Sequence, residues 1–172
     1  MDDQQQYYKD AVTLVLELLQ NTLGDQITTY YEGAPQEMPG EGAFPILAVY
    51  KTTGDITVGA TTGDDVIEDI MIVVMTNRLI YAGAPNTTVD TPMRHLQRLV
   101  EGRDPTAPAY YGRYLPKTVI GALRQNLTLG TYSIDTDVHV AYDSIPRGKE
   151  LAIAECDIKL KLTEAVQVLN RS

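Results

Sequence analysis

One stretch limits the fold more than any other: DDVIEDIMIVVMTNR, residues 64–78. Side chains alternate across a strand. Here Ile70, Ile72 and Val74 fall on one parity, and Met71, Val73 and Met75 on the other. A strand that is apolar on both parities must be covered on both faces, by a helix, a second sheet or another chain. Its apolar core, Ile70 to Met75, is also the longest uninterrupted apolar run, far too short to span a bilayer. The opening MDDQQQYYKD has neither a basic region nor a signal-like apolar core. Both observations predict a protein that is neither secreted nor embedded in a membrane.

The remaining elements follow from periodicity. In YYKDAVTLVLELLQNTLG, Tyr8, Val12, Val15, Leu16, Leu19 and Leu23 keep helical spacing, and Gly24 is placed to end the helix. Leu14 and Leu18 widen this stripe, which suits a broad apolar surface such as a sheet face or a neighbouring subunit. QITTYYEG and PILAVYKT read as strands, the second followed by a Gly-rich turn. TPMRHLQRLVEG reads as a helix capped by Asp90 or Thr91, with Pro92 at its first position and Gly102 at its end. TVIGALRQNL is a shorter helix. In ELAIAECDIKLKLT, Cys156, Ile158, Leu160 and Leu162 alternate with Asp157, Lys159 and Lys161, the signature of a strand with one dry face. This order predicts one α+β domain over residues 1–172, a mainly antiparallel sheet packed by an N-terminal amphipathic helix and two middle helices.

The strongest hint of chemistry is TYSIDTDVHVAYD, where Asp135, Asp137 and His139 share one parity. Two carboxylates and an imidazole on one strand face could hold a metal ion for a small hydrolase, or serve as an acid/base pair. The same face, however, is polar from Thr131 to Asp143, and the other carries Tyr132, Ile134, Val138, Val140 and Tyr142. A half-exposed strand needs that alternation for folding alone. A transition-metal site would also draw ligands from other segments. The solvated-face reading is the better one. Asp64, Asp65, Glu68 and Asp69 lack the alternating oxygen ligands of a calcium loop, because Val66 and Ile67 interrupt them. Cys156 sits on a dry parity and reads as core, and no phosphate-binding loop or nucleophile elbow occurs. The expectation is a protein without catalysis, cofactor or metal.

The formal net charge of -9 argues against gripping nucleic acid, whose binders neutralise phosphates with Lys and Arg. It does not argue against lining a channel through which DNA slides. A single cysteine excludes an internal disulfide and suits a particle assembled in a reducing cytoplasm.

Eleven tyrosines against one phenylalanine and no tryptophan favour amphipathic aromatics, which are enriched at interfaces. Two segments lack any pattern for self-contained packing, EGAPQEMPGEGAFP and RDPTAPAYYGRYLPK. Met38 and Phe44 in the first, and Tyr110, Tyr111 and Tyr114 in the second, are the candidate assembly residues. Packing of these tyrosines on their own domain is the alternative.

The order of elements resembles the tail terminator (tail completion) proteins of long-tailed bacteriophages, and related head-tail connector and neck proteins. The features that carry it are the opening helix, the Gly/Pro excursion before FPILAVYK, the apolar strand IEDIMIVVMTNR, the helix TPMRHLQRLVEG and the closing AECDIKLKLTEAVQV. The section Tyr81 to Leu127 is larger than the compact family core. The resemblance implies an α+β subunit of a ring, usually a hexamer. Such a ring caps the tail tube and presents a surface to the head connector or stopper protein. It implies a place in the tail or neck of the virion after assembly in the host cytoplasm, with DNA passing through unbound. No residue-level site is carried over. If the link is an assembly surface, replacing Tyr110 and Tyr111 with Ser will weaken assembly and leave the monomer's melting temperature nearly unchanged. Easy unfolding of the double variant would instead assign them to the core.

Overall fold

The computed structural model describes residues 9–37, 39–59, 63–79, 91–107, 112–135, 137–147 and 151–167. The helices are α1 (Ala11–Leu23), α2 (Pro92–Glu101) and α3 (Val119–Gln125). The strands are β1 (Thr29–Glu32), β2 (Ile46–Val58), β3 (Asp64–Leu79), β4 (Thr128–Leu129), β5 (Tyr132–Ile134), β6 (His139–Arg147) and β7 (Leu151–Val166). The fold is α+β, with the helices on one face of a seven-stranded sheet ordered β1-β2-β3-β7-β5-β4. β6 pairs with residues 151–159 of β7 and β5 with residues 162–163, so both lie along the edge that β3 leaves open.

The sheet is mixed. Every pairing is antiparallel except β1 with β2, which is parallel. Parallel neighbours need a crossover of about a dozen residues. The Gly/Pro segment between β1 and β2 is that crossover. Its far end is tied to the start of β1: the Thr28 hydroxyl donates to the Phe44 carbonyl and the Thr29 hydroxyl to that of Ala43, both at 2.9 Å.

The helix stripes meet the predicted dry parities. Val15 and Leu19 of α1, Leu96 and Val100 of α2, and Leu123 of α3 bury against Leu47, Ile72, Val74, Ile158 and Leu162. Each helix starts on a side-chain cap: Asp10 accepts from the Thr13 amide, Thr91 from that of Arg94, and Thr118 from that of Gly121. Thr91 is thus the cap of α2; Asp90 lies outside the described residues. α1 ends at Gly24, whose φ of 53° is one that a glycine adopts without strain. Gly121 also has to be a glycine, since a Cβ there would stand 2.1 Å from the Leu115 carbonyl oxygen.

β3 is covered on both faces, as its two apolar parities require. Ile70, Ile72 and Val74 face the helices. Val73 and Met75 belong to a second core on the reverse side, with Phe44, Ile46, Ala48 and Ile153.

Two expectations are corrected. The Gly-rich connection after PILAVYKT is shorter and later than expected: β2 runs through Gly54 to Val58, each residue paired with β3 as far as Val58↔Asp64, which leaves only residues 59–63 between the two strands. The long pairing partner overrides the weak strand preference of Gly and Asp. TYSIDTDVHVAYD is two strands and not one. It breaks after Ile134, because β5 and β6 pair with different parts of β7. The in/out alternation survives the break, with Tyr132 and Ile134 buried and Ser133, Asp135, Asp137 and His139 exposed.

Ile72 is fully buried at the centre of this sheet. Ile72→Ala should therefore cost about 2–5 kcal/mol in urea unfolding. Ile56→Ala on the exposed end of β2 should change stability by less than about 0.5 kcal/mol. Equal costs would contradict the burial described here.

Candidate assembly surface

Past Tyr50, every residue of β2 from Lys51 to Val58 is exposed. This end of β2, with the facing part of β3 and the end of β7, forms a three-stranded arm. Eight residues of strand reach about 26 Å. The register slips between Lys51 and Thr53, which places an extra residue in β2. Side-chain parity inverts at such a bulge. As a result Ile56 and Val58 turn to the helix-side face of the sheet, opposite Val66 and Asp64. None of the described helices reaches them there: Ile56 is 66% exposed and Val58 79%. Val166 at the end of β7, paired with Asp64, extends the apolar row. The β7 side is better covered, because the Thr131 hydroxyl donates to the buried Glu164 carboxylate.

The arm is acidic. Residues 51–69 hold Asp55, Asp64, Asp65, Glu68 and Asp69 against Lys51 alone. Lys51 is engaged by Glu68 at 2.9 Å, which leaves Asp55, Asp64 and Asp65 as the outward charges. The helix layer is the reverse. Residues 91–125 carry Arg94, Arg98, Arg103, Arg113, Lys117 and Arg124 against Glu101 and Asp104. Arg113 is ion-paired to Asp104, whose carboxyl its guanidinium and Thr106 hold down at about 2. Between the end of α1, α2 and the approach to α3 lies a concavity of about 580 Å³. Leu23, Leu99, Leu115 and Pro116 give it apolar walls, and His95, Arg98 and Lys117 stand with Asp25 and Gln26 around it.

Asp137 and His139 line a different concavity, of about 710 Å³, with Thr52, Asp69, Met71, Lys159 and Lys161. Asp135 does not line it. Lys159 is the direct cross-strand partner of His139, so two ammonium groups share the space where a cation would sit. That arrangement opposes metal binding by Asp137 and His139. Among the described residues no group of three or more His, Cys, Asp or Glu side chains is gathered as a metal site.

Cys156 is buried beneath Tyr142, whose hydroxyl donates to Glu101 at 2.5 Å. Burial, with Asp157, Glu101 and Glu155 nearby, pushes the thiol up to about 12, against the lowering effect of Tyr142 beside it. A buried protonated thiol is a poor nucleophile. The Tyr142–Glu101 bond ties α2 to β6 and has a structural role.

The interface residues expected from sequence separate. Met38, Tyr110 and Tyr111 lie outside the described residues. Phe44, 8% exposed, is not an exposed contact residue but part of the reverse-side core, because the crossover folds back onto β2 and β3. Tyr114 is half-buried against the main core, with the Arg103 guanidinium 5.6 Å from its ring centre. Sequence reasoning missed Ile56 and Val58. Their signal was the alternation in DITV, hidden by the glycines around it.

No protein-family model matches the chain, and no curated protein matches it.

On the reverse face, Asp143 stands directly opposite Glu155, and Asp157 follows two residues along β7. Burial first, then Asp157 and Asp143, raises the Glu155 carboxyl above its ordinary range. The folded protein therefore keeps this proton to a higher pH than the unfolded chain does. The resulting stability is full below the ordinary carboxylate range and is lost as pH rises through the raised value. Glu155→Gln should remove that loss. Thermal melts should show a higher midpoint for the variant at neutral pH, with the two proteins converging in acid. A lower midpoint at neutral pH would contradict the assignment.

Proposed function

We propose that this chain is a structural subunit of a long-tailed bacteriophage particle. It acts as a tail terminator, forming a homo-oligomeric ring, a hexamer by the resemblance, that caps the tail tube and joins it to the head connector. Its role is assembly and not catalysis, and its place is the tail or neck of the virion, put together in the host cytoplasm. The observation that carries the reading is the arm. An edge of β2 that is long and unpaired among the described residues, ending in exposed Ile56 and Val58, is a liability that a solitary protein normally covers. A subunit that buries the edge in an assembly has no such need.

Two further features agree. The carboxylates of Asp143, Glu155 and Asp157 give the reverse face an acidic patch that would repel duplex DNA moving past it. Among the described residues, no helix is long and apolar enough to cross a membrane. A neck or connector component remains the neighbouring reading, since it would use the same kind of ring.

The test is to add the purified protein to polymerising tail-tube subunits of its own particle and image the products by electron microscopy. Tubes should stop growing, with a ring of extra density at one end. Tubes that lengthen unchanged, with bare ends, would contradict a terminator.

A further inference from the structure

The arm and the helix-layer concavity are complementary in both chemistry and charge. The arm carries two exposed apolar side chains, Ile56 and Val58, with Asp64 on their face and Asp55 and Asp65 on the reverse. The concavity has apolar walls, including Leu115 at 38% exposure, and a rim in which Arg98 and Lys117 outnumber Asp25. Opposite charge also marks the wider surroundings of each: net negative over residues 51–69, net positive over residues 91–125. Both surfaces belong to one chain, and they lie on different elements.

We infer that the arm of one copy docks into the α1–α2–α3 concavity of the next copy, Ile56 and Val58 entering it and the arm's carboxylates meeting the Arg98 and Lys117 side. This rests on the ring reading above and names the contact by which the ring forms. The occupant is a second copy because the same chain carries the matching surface, with apolar walls and the opposite charge. The contact is heterologous: the two patches differ, so each copy keeps one arm and one concavity for two different neighbours. Such contacts propagate, and close when the rotation between copies divides a full turn. Two side chains make a small contact, so one junction should be weak. A closed ring, in which every copy uses both patches, should be far more stable. The charges add speed and choice of partner, and make assembly sensitive to salt.

The experiment is sedimentation velocity on the full chain and two variants. The arm variant carries Ile56→Ser and Val58→Ser; the concavity variant carries Leu115→Ser and Lys117→Glu. All four positions are exposed, so both variants should melt within a few degrees of the parent. The parent should assemble as concentration rises, and each variant alone should need at least tenfold higher concentration. Mixed together, the two variants should form a one-to-one dimer that grows no further, because the mixture holds one sound arm and one sound concavity per pair. Variants that assemble like the parent would overturn the docking and leave the ring reading standing on another surface. Because that dimer rests on one weak junction, it is read at the top of the concentration series: a mixture that shows no more dimer there than either variant alone would overturn the docking as well, as would a parent that never associates. The ring reading itself is judged separately, by whether the protein caps tubes.

Discussion

The pairing of β3 with β7 is the constraint from which the rest of the structure follows. It runs unbroken for sixteen residues, from Asp64↔Val166 to Leu79↔Leu151. It fixes which side chains face the helices. A slip of one residue would turn Asp157, Lys159 and Lys161 inward and Cys156, Ile158 and Leu160 outward. Every other strand is attached to this pair: β2 and through it β1 on one edge, β6 and β5, and through β5 β4, on the other. The helices then cover only the half of the sheet where Ile72 and Ile158 lie, and the strands outrun them. The arm is what remains when a long pair of strands meets short helices.

That mismatch connects folding to the assembly proposed above. The covered half contributes stability through buried apolar side chains on both faces of β3. The uncovered half contributes little to the monomer and leaves backbone groups and apolar side chains in water. Charge is divided in the same way, acidic on the arm and basic on the helix layer. The overall charge of -9 conceals this division, since six of the fourteen Lys and Arg residues fall within residues 91–125. A surface organised in this manner favours ordered contacts between copies over random association.

Where local pattern and tertiary pairing agree, the sequence was readable. The opening helix, the helix beginning at Pro92 and the alternation from Cys156 to Leu162 all appear as their periodicity implies. The outer half of β2 was not readable, because Gly54 and Asp55 have little strand preference of their own and are held by β3. The parallel partnership of β1 depends on a crossover whose route no local signal encodes. Of the site, the aromatic content pointed to contact surfaces in general, while Phe44 proved to belong to the reverse-side core. The arm and the concavity emerge only when charges are grouped by the element that carries them.

The central claim is that this chain is built to associate with copies of itself into a closed ring. Native mass spectrometry across a concentration series, with and without tube ends present, tests it most directly. The account predicts one dominant closed oligomer, with few intermediates, that gives way to monomer at high salt. A monomer at every concentration under both conditions, or an open ladder of oligomers with no preferred size, would contradict it.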